Sequence, residues 1–250
     1  MSKKKKLKKP FKRFLLICIL VMLAFMCFEM VDYFVTLKKL KPNETHEHEY
    51  YYAYDFGFLD KQSNYDYNNN KIDDYTDILI GLKNYAIINP SYANKYYGGG
   101  YPPENEGVCT DTIWFALKEA GYDLKKMIDT DILQNKEAYG IDIIDQNIDF
   151  RRVNNQDTFF KRYTEKYSTD MKDIMEFNPG DILVFNTDEH IAMTSDKRNA
   201  NGIPYLIQNR DETQTEKEED RLEETEMEIT SHYRFTYNDN LEKLINSIKE

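Results

Sequence analysis

Cysteine is scarce in this sequence: there are three, and Cys18 and Cys27 both lie in an apolar N-terminal run. Cys109 is therefore left without a partner in the rest of the chain, which excludes a disulfide framework and marks its thiol as free. Histidine is nearly as rare. Of the four, His46 and His48 sit in a polar stretch near the N-terminus, so only His190 and His232 are placed to move protons in a folded domain. Basic charge is outnumbered over most of the chain. Residues 1–41 hold eleven Lys and Arg against two acids, so of the net −11 the remainder carries −20. A body that acidic lacks the basic footprint of a nucleic-acid-binding protein. It suits an exported domain able to bind cations. No internal repeat is present.

One group of basic residues opens the chain. Lys3, Lys4, Lys5, Lys6, Lys8, Lys9, Lys12 and Arg13 precede an apolar run over residues 14–28. The run is shorter than the ~20 residues of a full span. Extension to residue 37 supplies the length and takes Glu29 and Asp32 to the outer interface. No small-x-small cleavage site follows, so a retained signal anchor is expected rather than a removed signal peptide. Cys18 and Cys27 lack the preceding small residue of a lipoprotein box and read as apolar membrane residues. The positive-inside rule puts residues 1–13 in the cytoplasm, the anchor over 14–37, and everything later outside a cell membrane crossed once.

Residues 38–64 read as a linker, and the alternating His46-Glu47-His48-Glu49 as solvated, because nothing there sets a ligand geometry. Residues 65–77 contain oxygen-bearing side chains at Asp66, Asn68, Asn70, Asp74 and Asp77, with the Ile72 carbonyl between them. That is the spacing of an EF-hand-type Ca²⁺ loop, although Lys71 takes the place of the usual glycine and Asp77 that of the usual Glu. The same residues also suit an Asn/Asp-rich turn that caps the following helix, and both readings stay open. A structural Ca²⁺ is the one cofactor expected; no organic cofactor is indicated.

From there the pattern is helical first and β later. Apolar residues at helical spacing predict a helix over 78–88, stopped at Asn89-Pro90. A Gly/Pro loop at 98–103 leads to a second helix starting near Cys109 and stopping at Gly121, and residues 124–133 suit a third. Residues 134–162 are mixed, with 147–153 expected as a strand or turn carrying Arg151 and Arg152. After the turn signal Asn178-Pro179-Gly180-Asp181, strands are expected at 182–185, 190–194 and 203–208, an antiparallel meander. The charge run at 211–228 reads as a solvated loop or exposed helix. A last strand is expected over 229–237, then a terminal segment 238–250 with a short helix. The fold class is α+β, one extracytoplasmic domain over 78–237.

Chemistry centres on Cys109. A cysteine nucleophile needs a base and a group to orient that base, and a helix N-terminus favours the thiolate while its free N–H groups can hold an oxyanion. His190, directly after a turn, is the better base; His232 lies within Ser231-His232-Tyr233-Arg234 late in the chain. Gln208 and Asn209, at the end of a neighbouring strand, are both suited to accept from the imidazole N–H. Taken alone, a single cysteine is more often a small core residue. Arg151 and Arg152 read first as structural ion pairs and second as contacts for a substrate carboxylate.

Several separate motifs occur in order: Gly99-Gly100-Tyr101-Pro102, Gly107-Val108-Cys109-Thr110-Asp111, residues 147–153, Pro179-Gly180-Asp181, His190-Ile191-Ala192 and His232-Tyr233-Arg234. Together, over about residues 66–237, they resemble the bacterial domain-of-unknown-function family 1287, itself similar to NlpC-type papain-fold cysteine peptidases that cleave peptidoglycan peptides. The resemblance implies a papain-like arrangement of N-terminal helices on the meander. It also implies Cys109 as nucleophile and His190 as base, with Gln208 where relatives commonly carry His and Asn209 beside it. The expected function is a membrane-anchored cysteine hydrolase, amidase or peptidase, of cell-wall peptides. The alternative is a non-catalytic extracellular binding or scaffold module on the same fold, stabilised by calcium.

Overall fold

The computed structural model describes residues 50–249, with Met22 alone before them. The tail, the anchor, the first part of the linker, and with them Cys18, Cys27, His46 and His48, lie outside the described residues. Among the described residues no helix is long and apolar enough to cross a membrane.

Residues 49–250 form one compact unit of mixed α and β structure. Its helices are α1 (Asp74–Ile88), α2 (Cys109–Glu119), α3 (Leu124–Asn135), α4 (Val153–Tyr163) and α5 (Asp239–Lys249). Its strands are β1 (Ser91–Tyr92), β2 (Glu106–Gly107), β3 (Glu165–Lys166), β4 (Ile182–Phe185), β5 (His190–Arg198), β6 (Pro204–Ile207), β7 (Glu218–Glu219) and β8 (Ile229–Arg234). The last six make one antiparallel sheet in the order β3-β8-β4-β5-β6-β7, while β1 and β2 form a short parallel pair. The meander is the centre of this sheet, and the last strand returns to pair with the first strand of the meander rather than with its neighbour in sequence.

One sheet face carries the helices. Ile182, Val184, Ile191, Met193 and Ile207 point into a core shared with Ile78, Leu82, Ile113, Leu117, Ile128 and Phe160. Alternation along the strands sends Leu183, Phe185, Ala192 and Leu206 to the other face, where Phe177, Ile203 and Leu222 from connecting segments cover them. On the helical side α1 and α2 cross very closely. A Cβ at Gly81 would lie 2.7 Å from the Ala116 carbonyl oxygen, so only glycine fits.

Element edges follow local chemistry. Asp73 caps α1 by accepting from the Tyr75 and Thr76 amides, and Asn89 ends it in the left-handed region at φ 51°. The helix thus starts four residues before its apolar period, because capping acts on polar residues. α4 falls in the stretch read as mixed. Its buried face combines Phe159 and Phe160 with Asn155 and Gln156, two fully buried amides that hide the helical period. Residues 149–151 form a single 3₁₀ turn before it, the turn of the two expected alternatives.

The domain also reaches beyond both of its expected ends. Ala53 is buried and Tyr51 forms a two-way backbone bridge with Arg198, so the end of the stretch read as linker is part of the fold. In the C-terminal segment, Leu241, Leu244 and Ile245 of α5 enter the main core.

Candidate active site

Cys109 is the first residue of α2, and the segment before it is pinned from several sides. The β1–β2 pair closes the loop 93–105, with Ala93 N–H donating to the Gly107 carbonyl at 2.8 Å. Gly107 admits no side chain, since its Cβ would stand 2.8 Å from the Tyr85 hydroxyl. Asp111 then closes the first helical turn, its Oδ2 accepting from the Val108 amide at 2.8 Å. The same carboxylate takes Arg151 through two bonds, Nε to Oδ1 at 2.8 Å and Nη2 to Oδ2 at 2.7 Å, and Trp114 Nε1 at 2.8 Å. Arg151 also donates to the Lys95 carbonyl and lies over the Tyr97 ring. Both charged side chains are buried, which makes Arg151 a structural partner of the loop and the helix start; Arg152 is exposed and pairs with Asp149.

The backbone amides of Ile191 on β5, of Thr110 and of Cys109 itself act to lower the pKa of the Cys109 thiol. The residue is only half-buried by its surface exposure, yet desolvation of the sulfur pushes the thiol up to about 11; the nearby Asp111 carboxylate adds to this and the three backbone amides oppose it. The helix terminus alone argued for a thiolate, but here desolvation is the larger effect.

His190 opens β5 opposite Phe185, with the two rings 5.8 Å apart. Its Nε2 lies 2.7 Å from Gln208 Oε1, so the ring donates from Nε2 and Nδ1 is left as the acceptor. Phe185 and Leu206 belong to the sheet face turned away from α2, whereas Ile191 and the thiol belong to the helical side. Burial holds the imidazole below its ordinary range. The Gln208 bond opposes that shift, while nearby Arg210 reinforces it and Asp211 opposes it.

The two amides that sequence left as alternatives are divided. Gln208 faces His190, and Asn209 turns to the helical side, donating to the Tyr85 hydroxyl at 3.1 Å and to the Pro90 carbonyl at 3.2 Å. His232 is committed elsewhere. It is fully buried, with Nε2 2.8 Å from Asp181 and Nδ1 2.6 Å from the Ser168 carbonyl, and Arg234 makes two bonds to the same Asp181.

In the 66–77 loop, Lys71 adopts φ 75°, the conformation for which a calcium loop uses glycine. The side chains, however, are engaged with protein. Asp66 accepts from the Asn70 and Lys71 amides, while Asn68 and Asn70 turn their amide nitrogens to Asp77. Asn70 Oδ1 accepts from the Ile72 amide, and Asp74 accepts from the Tyr67 amide within the loop and from the Tyr122 hydroxyl outside it. In this arrangement the residues do not form an oxygen cage. Among the described residues no group of three or more His, Cys, Asp or Glu side chains is placed to hold a metal ion.

Two features escaped the sequence. A cleft of about 670 Å³, lined by Tyr101, Trp114, Phe115 and Tyr122 with Glu104 and Asp123, opens beside α2. Arg210 and Arg221 stand near His190. Neither carried a motif; the second lies partly in a charge run that reads as solvent-facing.

Residues 83–235 match the family described as "Domain of unknown function (DUF1287)", and the chain belongs to that family. It is also similar to a protein of Escherichia coli (strain K12) named "Uncharacterized protein YijF", with 33% identity over 130 residues. That match spans 49% of this chain and 63% of the relative, so less than two thirds of the relative's length is covered. No solved structure matches.

Proposed function

We propose that this DUF1287 member is a cysteine hydrolase of amide bonds, built on a papain-like arrangement of α2 against the meander. Cys109 is the nucleophile, His190 the base and Gln208 the residue that orients the ring. The observation that carries the reading is the placement of Cys109 at the first turn of α2 where that helix packs on β5, the strand that His190 opens. The Gln208 bond leaves Nδ1 as the free acceptor. The ring, however, lies with Phe185 and Leu206 on the sheet face away from the thiol, so this reading requires the ring to turn to the helical side before it takes the thiol proton.

With the thiol raised and the imidazole lowered, the resting pair is neutral. The imidazole must then take the proton as sulfur attacks the carbonyl, and pass it to the leaving amine when the C–N bond breaks. Water hydrolyses the thioester; an amine acceptor would make the same enzyme a transferase. The first N–H groups of α2 are the donors available for the oxyanion. The proposed substrate class is cell-wall peptide. The proposed location is outside the cell membrane behind an anchor at 14–37, supported by the basic cluster and apolar run. A Ca²⁺ at residues 66–77 is proposed only as a stabiliser, supported by spacing and the Lys71 backbone and opposed by the turn of Asp74 toward Tyr122.

A second reading, a non-catalytic binding module, is favoured by one observation. Neither the aromatic cleft nor the cavity at His190 is lined by Cys109. Incubation of the full chain with peptidoglycan peptides separates the two. Release of new amino termini, abolished by Cys109→Ala and His190→Ala, is expected of the hydrolase. Binding without release, unaltered by Cys109→Ala, would establish the module instead.

A further inference from the structure

The charge run at 211–228 folds back on the sheet. β7 pairs with β6, and Leu222 packs with Leu206 on the face away from the helices. This closure encloses a cavity of about 30 Å³ beside His190, walled by Phe185 and Leu206 and lined by Gln208, Arg210 and Arg221. Such a volume holds roughly one or two waters or a single small ion.

The polar lining is rich in donors. Arg210 reaches Asp211 through Nη1, but its buried Nε has no partner. Arg221 is half-buried, and its guanidinium pairs with no carboxylate among the described residues. No carboxylate lines the cavity. Two guanidinium side chains around one enclosed space are an anomaly in a body that carries −20 outside its first 41 residues. The buried Arg210 Nε, left without an acceptor, is costly, and a bound anion would satisfy it through a charge-assisted bond.

We propose that this cavity is a binding site for one small monovalent anion, chloride or a carboxylate head, held by Arg210, Arg221 and the Gln208 amide. The ion pairs with Arg221 and with the unpartnered Arg210 Nε, fixes Gln208 in the rotamer that meets His190, and ties the 211–228 segment down over the base. Binding requires no catalysis, so it stands or falls separately from the hydrolase.

The test is histidine-selective NMR on the full chain, where four histidines give four ring signals. Chloride, acetate, N-acetylglycine and neutral acetamide are titrated at constant ionic strength set with a bulky sulfonate. The His190 signal, identified by its loss in His190→Gln, is expected to move saturably with chloride and acetate and not with acetamide. A response to N-acetylglycine alone would assign the anion to the carboxyl end of a peptide instead of a free ion. Arg221→Gln is expected to raise the titration midpoint by about tenfold, the loss of one charge-assisted contact. If that variant does not fold, Arg210→Gln serves the same comparison. No saturable movement with any anion, an equal response to acetamide, or an unaltered midpoint in the folded variant overturns the proposal.

Discussion

At Cys109, burial and the helix terminus act on one sulfur in opposite directions. Because the thiol is raised to about 11, alkylation by iodoacetamide should keep accelerating above pH 9, with no plateau near neutrality. A plateau below the free-thiol value of ~8.5 would show that the helix terminus prevails. His190 is held low, so folding favours its neutral form. Its stabilising contribution is complete above the unfolded value of about 6.5 and is lost as pH falls through the lower folded value. Urea midpoints should drop on acidification from pH 7, and His190→Gln should flatten that drop. The buried Asp111–Arg151 pair sets the helix start. Removal of one partner, as in Asp111→Ala, leaves a buried charge unpaired and should lower stability by about 3–5 kcal/mol in denaturant titration. The double variant Asp111→Ala/Arg151→Met should recover part of that loss.

Among the elements, the α1–α2 crossing has no slack. Gly81→Ala improves helix propensity by about 1 kcal/mol, yet its Cβ would meet the Ala116 backbone at 2.7 and 2.9 Å. The net outcome expected is destabilisation of about 1–3 kcal/mol, and a thermal midpoint above that of the parent would disprove the close approach. The 66–77 loop has the opposite problem. Lys71 in the left-handed region is strained, and Lys71→Gly should raise stability by about 0.5–1 kcal/mol after the glycine entropy is counted. If Ca²⁺ enters the loop, millimolar Ca²⁺ should raise the midpoint further in this variant than in the parent. Equal midpoints with Ca²⁺ and with EDTA would remove the ion from the account.

On the scale of the whole molecule, α1 is tied to the sheet by an ion cluster as well as by the core. Lys83 contacts Ser195, Asp196 and Glu218, and Lys197 reaches Glu218 at 2.9 Å. Burial opposes ionisation of Glu218, but its bonds to Lys83, Ser195 and Lys197 prevail and hold its carboxyl below the usual range. A lowered carboxyl contributes stability above the unfolded value of about 4.3, and that contribution is lost as pH falls through the folded one. Glu218→Gln should therefore lower stability at pH 7 and flatten the acid limb of the stability curve.

Sequence alone determined what depends on neighbours along the chain. The helix at Cys109, the stop at Gly121, the meander strands and the turn before His190 follow from period, capping and turn chemistry, which act within a few residues. The scarcity of cysteine and histidine reduced the reactive groups to Cys109, His190 and His232 before any contact was known. Only the tertiary structure decided what depends on distant partners. It assigned Gln208 to His190 and Asn209 to Tyr85, because adjacent strand residues point to opposite sheet faces. It buried His232 against Asp181, 51 residues away in the chain, and turned Asp74 of the metal-type loop toward the Tyr122 hydroxyl. It also overrode the helix terminus at the thiol, since desolvation depends on what the rest of the chain packs around a group. The turn of residues 211–228 toward the base belongs to the same class. Charge density suggested solvent, while pairing at Glu218–Glu219 and burial of Leu222 closed the segment over a cavity.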